Sequence, residues 1–178
     1  MRLIGFVISC RFVFCWDEFR FENSGTVSNI ICAEGKIMTL GERLNELLNE
    51  KYMSAASFAN IIGLSGVAVR KWRRINTALK LEHLLRVAEY FDCSLDFLCG
   101  RTEEEKGFNK DASPIFAKRL KEIIEHSKIP IDRISKETEL DRRNFYDWFN
   151  GMSPVSSTLI ILANYFDCSV DYLVGLED

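Results

Sequence analysis

The sequence predicts an all-α protein built from two related five-helix units in tandem. The first observation behind this is a repeat: Tyr90-Phe91-Asp92-Cys93-Ser94 returns unchanged as Tyr165-Phe166-Asp167-Cys168-Ser169. Each copy then continues alike, as Leu95-Asp96-Phe97-Leu98-Cys99-Gly100 and as Val170-Asp171-Tyr172-Leu173-Val174-Gly175. Upstream, Arg43-Leu44 matches Arg119-Leu120, Leu64 matches Leu140 and Trp72 matches Trp148. The offset is 76 before the tryptophans and 75 after them, so a one-residue gap in a loop aligns the copies. The second observation is helical spacing of apolar residues throughout both copies, and the third is the lack of any strand alternation in either. A repeating unit of roughly 60 residues is too long for a solenoid and suits a small domain that folds alone. The predicted organisation is an extension over residues 1–37, a first unit over 38–100, a linker over 101–114 and a second unit over 115–178.

The helices follow in order. Leu40–Lys51 places Leu44, Leu47 and Leu48 on one face. Ser54 is a good N-cap for a second helix to Ile62, with Phe58, Ile61 and Ile62 expected inside. Gly63 can then turn left-handed and end it. Ser65 caps a third helix to about Arg74, in which Val69 and Trp72 point inward. Asn76–Lys80 is a loop, Leu81–Phe91 a fourth helix and Ser94–Cys99 a capped fifth. In the second copy the corresponding helices are Phe116–His126, a segment from Pro130 to Thr138, one capped by Asp141 and ending near Asn150, then Ser156–Phe166 and Ser169–Val174. Proline suits a helix start, where its missing N–H would be orphaned anyway. Arg101–Pro114 is polar and reads as an exposed linker.

Composition narrows the function. The net charge is −3 and the pI about 5.5, without the bulk basicity usual in nucleic-acid binders, so any such face must come from local clustering. Residues 107–178 carry nine basic and twelve acidic side chains, while 38–106 balance at ten and ten. Cys10, Cys15, Cys32, Cys93, Cys99 and Cys168 form no C-x-x-C pair, and His83 and His126 lie at no metal-ligand spacing from them. No metal or cofactor site is expected, and the cysteines read as small apolar residues of a reduced, cytoplasmic protein. No catalytic histidine–carboxylate pair on a shared face, phosphate-binding glycine loop or nucleophile motif points to an enzyme.

Residues 1–37 have another character. Leu3–Trp16 is apolar apart from Ser9 and Arg11, too short and too charged for a membrane span. Val7-Ile8-Ser9-Cys10 resembles a lipobox, but the apolar run before it is very short. Membrane attachment is therefore not expected. Glu34-Gly35 must be encoded by purine-rich codons resembling a ribosome-binding site, with Lys36-Ile37 as a spacer. Translation starting at Met38 is one reading of the extension; a disordered or weakly β-forming segment is the other.

The second and third helices, joined by a tight turn, make a helix-turn-helix. Ser54, Phe58-Ala59, Gly63-Leu64-Ser65, Val69 and Trp72, and then Ile134, Leu140-Asp141, Phe145, Trp148, Asn150-Gly151 and Pro154, carry a resemblance. Both copies resemble lambda-repressor-like (Cro/XRE-type) DNA-binding domains, and together they cover nearly all of residues 38–178. The resemblance implies a bacterial or phage transcription regulator, most simply a repressor, whose third helix lies in the major groove. The DNA-facing positions it implies are Ser65, Gly66, Val67, Arg70, Lys71, Arg73 and Arg74 in the first copy. In the second they are Asp141, Arg142, Arg143, Asn144, Tyr146 and Asp147. Arginine can hold guanine O6 and N7 together, so Arg142 and Arg143 are expected readers of bases. Arg70, Lys71, Arg73 and Arg74 are an expected phosphate clamp, which positions without specifying. Trp72, Trp148, Tyr90, Phe91, Tyr165 and Phe166 are expected in the core.

Two departures stand out. Glu139 occupies the turn position where glycine is usual, at a cost of roughly 1–2 kcal/mol for a left-handed residue with a side chain. Asp147 would face phosphates unfavourably unless it accepts from cytosine N4 or pairs with a neighbouring arginine. Besides double-stranded DNA, the resemblance implies homodimerisation through the last helix, Ser169–Val174. The competing reading is a protein-interaction module on the same fold, an antitoxin-like or phage-regulatory partner binder, which the acidic second copy favours.

Overall fold

The computed structural model describes residues 38–75 and 77–177, and the readings of the N-terminal extension lie outside the described residues. Among these residues the helical periodicity is realised as ten α-helices: α1 (Leu40–Glu50), α2 (Ala55–Ile61), α3 (Gly66–Ile75), α4 (Leu81–Phe91), α5 (Leu95–Leu98), α6 (Phe116–Ser127), α7 (Ile131–Thr138), α8 (Arg142–Phe149), α9 (Ser156–Tyr165) and α10 (Val170–Val174). Helix starts follow side-chain chemistry. Thr39 and Glu42 close a capping box at α1, and Ser54, Ser94, Asp141 and Ser169 each accept a backbone N–H at α2, α5, α8 and α10. Pro130 is the residue before α7 rather than its first, with extended backbone angles.

Each group of five helices closes on large apolar side chains. Phe58 and Phe145 are wholly buried, each worth about 2–3 kcal/mol of apolar transfer. Around them lie Leu44, Leu48, Val69 and Leu84 in the first half and Leu120, Ile134, Leu159 and Leu162 in the second. Trp72 and Trp148 are buried, as expected, and so is Phe91; Tyr90, Tyr165 and Phe166 are half-buried. Ile61 departs from expectation at 57% exposure. The buried stripe of α2 runs through Ala55, Phe58, Ala59 and Ile62 at i, i+3, i+4, i+7, and Ile61 falls outside it.

The two halves meet directly, through contacts that come in reciprocal pairs. Lys80 and Val155, 75 residues apart, form an isolated antiparallel bridge. Beside it, Leu81 N donates to Pro154 O at 2.9 Å, and Ser156 N donates to Leu79 O at 2.7 Å. Deeper in, the Asp171 carboxylate accepts from Leu95 N at 2.9 Å and Asp96 N at 3.0 Å. The Asp96 carboxylate returns the arrangement, accepting from Val170 N at 2.7 Å and Asp171 N at 3.3 Å. Each aspartate thus caps the other half's short helix. The Arg101 guanidinium fastens the junction further, donating to Asp96, to Asn164 Oδ1 at 3.2 Å and to Cys168 O at 3.1 Å.

The 101–114 segment is less detached than its polarity implies. Lys106 O accepts from Ser94 N at 2.7 Å, Glu103 pairs with the buried Arg43 at 2.7 Å, and Asn109 Nδ2 donates to Leu176 O at 2.8 Å. Phe108 and Ala112, four apart in a polar run, pack against the core and hold it down. Arg43 also lies 4.1 Å over the Phe97 ring, and its counterpart Arg119 lies 4.6 Å over Tyr172.

Burial pushes the Asp171 carboxyl up to about 6, with Asp96 adding to the rise and the Leu95 and Asp96 N–H groups opposing it. An unfolded aspartate titrates near 4. The stability this group contributes is therefore fully present below about pH 4 and is lost as pH rises through about 6. The melting temperature is expected to rise by a few degrees from about pH 7 to about pH 5, and most of that rise should be gone in Asp171→Asn. A second expectation concerns Gly100, whose φ is +72° and where a Cβ would sit 1.7 Å from the Met38 carbonyl oxygen. At Gly175 the nearest atom is the Ile115 side-chain Cγ1 at 2.4 Å, which can move. Denaturant unfolding should show Gly100→Ala losing at least about 2 kcal/mol, and more than Gly175→Ala.

Candidate nucleic-acid interface

In the first half, α2 and α3 are joined by the turn Ile62–Ser65. Gly63 has φ +68°, Leu64 N donates to Ala59 O at 2.8 Å, and Ser65 Oγ accepts from Ala68 N at 3.1 Å. Val69 and Trp72 seat α3 on the core, which turns Val67, Arg70, Lys71 and Arg74 to the outside. Val67 is 67% exposed. Among the described residues no ion pair engages Arg70, Lys71 or Arg74, so this face carries uncompensated positive charge at the C-terminal part of α3. Gly66 is half-buried, with Ala56 Cα 3.6 Å and the Arg70 guanidinium 3.4 Å from where a Cβ would be.

Arg73 differs from its basic neighbours. Its Nε donates to Asn45 Oδ1, and Asn45 Nδ2 donates back to Arg73 O at 3.2 Å. This cation clamps α3 to α1. Positions 69, 72 and 73 share one helix face, which explains why it turns inward.

The second half presents another chemistry. Asp141 caps α8 by accepting from Arg143 N at 2.8 Å, so its carboxylate belongs to the helix start. Phe145 and Trp148 point to the core, and Arg142, Arg143, Tyr146 and Asp147 point out, with Asn144 half-buried. Arg142 is fixed in place: its guanidinium donates to Tyr146 Oη at 3.1 Å and pairs with Asp132 of α7 at 2.8 Å. The Tyr146 hydrogen bond and then Asp132 raise its pKa, so it stays a cation. Glu137 of α7 is held by Arg133 of the same helix at 2.8 Å and by Tyr165 of α9 at 2.5 Å. Sequence reading passed over Asn45, Asp132 and Arg133. Arg43 and Arg119 did carry a signal, because they align between the copies and each stacks on the aromatic ring of its own half.

Residues 43–104 match the family model of the Cro/C1-type HTH DNA-binding domain. The match runs from within α1 through α5 and contains α2, the Gly63 turn and the cationic face of α3. Residues 43–104 are thus a helix-turn-helix DNA-binding domain, of a type found in DNA-binding regulators. No curated protein and no solved structure matches the chain significantly. Among the described residues no helix is long and apolar enough to cross a membrane.

Glu139, at the turn between α7 and α8, has φ +57° and ψ +16°. Gly63 holds the corresponding turn of the first half in the same left-handed region, where glycine adopts the conformation without a Cβ penalty. Glu139→Gly is expected to raise the unfolding free energy by about 1 kcal/mol in a denaturant titration, with the greater backbone freedom of unfolded glycine offsetting part of the relief.

Proposed function

We propose that the chain is a sequence-specific DNA-binding transcription regulator, acting as a repressor in the cytoplasm, with two tandem helix-turn-helix units. In this reading α3 and α8 each enter a major groove, while α2 and α7 cross the backbone. The carrying observation is the face formed by Arg70, Lys71 and Arg74, free of ion pairs among the described residues, on the third helix of a stretch that matches a DNA-binding family. Free lysines and arginines there are suited to phosphates. On α8, Arg143 is exposed and suited to a base edge, and Arg142 would serve there by exchanging its contact with Asp132 for a base.

A second reading is favoured by one feature of α8. Asp147 is exposed on the same helix as the arginines, in a half with more acidic than basic residues. That pattern suits a protein partner better than a phosphate backbone.

Affinity against salt separates the two. Binding of the full chain to a duplex from its own promoter should fall with salt at a logarithmic slope of about −2.5 to −3, as expected for three phosphate contacts by Arg70, Lys71 and Arg74. The Arg142→Ala/Arg143→Ala variant should lose preference for that duplex over random DNA by about tenfold or more. Affinity indifferent to salt, with no preference to lose, would move the function to a protein partner.

A further inference from the structure

The junction between the halves has the form of an isologous interface, in which residue i meets residue j and j meets i. The bond from Leu81 N to Pro154 O has its counterpart 75 residues along, from Ser156 N to Leu79 O. Asp96 and Asp171 cap each other's helices by the same rule, and Lys80 and Val155, equivalent positions that pair with each other, face one another across the local two-fold axis. The surface through which the last helix was expected to join a second copy is therefore occupied within one chain, by α5 against α10.

A two-fold axis sets α3 and α8 at equal height along it, related by half a turn. Their C-terminal ends lie five and six residues from Lys80 and Val155. Extended chain reaches at most about 3.6 Å per residue, so those ends are at most about 45 Å apart. Successive major grooves on one side of B-DNA lie about 34–36 Å apart, within that reach. The two helices are chemically unlike, however. The α3 face offers Val67, Arg70, Lys71 and Arg74, suited to gripping phosphates and lacking bidentate partners for bases near its start. The α8 face offers Arg142, Arg143 and Asn144 on its first turn.

We infer that a single chain occupies one duplex site about one helical turn between half-site centres, with unlike halves: α8 reads the bases of one, and α3 grips the backbone of the other. This rests on the DNA-binding reading above and specifies its ligand. An interface that pairs equivalent residues would otherwise imply a symmetric site, and the divergence of the two reading helices is what removes that symmetry.

The test is selection of the full chain on a pool of random duplexes at low salt, followed by native mass measurement of the selected complex. One chain per duplex is expected, with one sharply specified block and, about 10 base pairs away, a weakly specified one. Arg143→Ala, at an exposed position, should erase preference in the sharp block by about 5- to 100-fold and leave the weak block unchanged. Arg70→Ala/Lys71→Ala should weaken selected and scrambled duplexes alike and reduce the salt slope by about two. Two chains per duplex on two equally sharp inverted half-sites would overturn the inference and leave the DNA-binding function standing. A single protected block with no second contact would overturn it too. Failure to retain any duplex would overturn the proposed function itself. The stoichiometry of the unmodified chain decides even if a variant folds poorly.

Discussion

The mutual capping by Asp96 and Asp171 is the contact on which the arrangement of the molecule turns. Helices as short as α5 and α10 do not stand alone, because a single turn fixes many dihedral angles for few hydrogen bonds. Their first N–H groups have no partner inside the helix. Here each helix takes one bond from its own serine, Ser94 or Ser169, and the remaining donors go to the carboxylate of the other half. Neither half completes its last helix without the other. Losing the Asp171 carboxylate leaves the buried Leu95 N–H unsatisfied across the junction, at about 1–3 kcal/mol.

From this joint outward, packing decides which charges can act. Trp72 and Trp148 anchor α3 and α8 by the same inward face, and so fix which residues turn outward. The outward residues then differ in freedom. Arg73 is held by Asn45 and Arg142 by Asp132 and Tyr146, whereas among the described residues Arg70, Lys71, Arg74 and Arg143 meet no such restraint. A run of basic residues that looks uniform is therefore three solvated cations and one structural clamp.

Helices, caps and the inward faces of both tryptophans were legible in the sequence, because periodicity and N-cap chemistry are local. The turn at Glu139 was legible as an expected left-handed residue. The junction was not. Asp96 and Asp171 were visible as equivalent repeat positions, but equivalence says nothing of contact; a repeated residue serves its own core as readily as its twin. The role of Arg73 was hidden for a related reason, since its partner Asn45 lies on a different helix. The polar 101–114 segment is mostly exposed, in keeping with its composition, but Phe108 and Ala112 were too sparse to register as points of packing.

Joining the halves in one polypeptide changes how the paired state responds to abundance. Separate subunits meeting through an isologous patch must first associate, and the fraction assembled falls as the protein is diluted. Halves tethered by the 101–114 segment face each other at an effective concentration set by that tether, whatever the number of molecules in the cell. The joined form therefore needs no threshold level of expression. Its amount follows synthesis in direct proportion, without the steepening that a monomer–dimer equilibrium would impose.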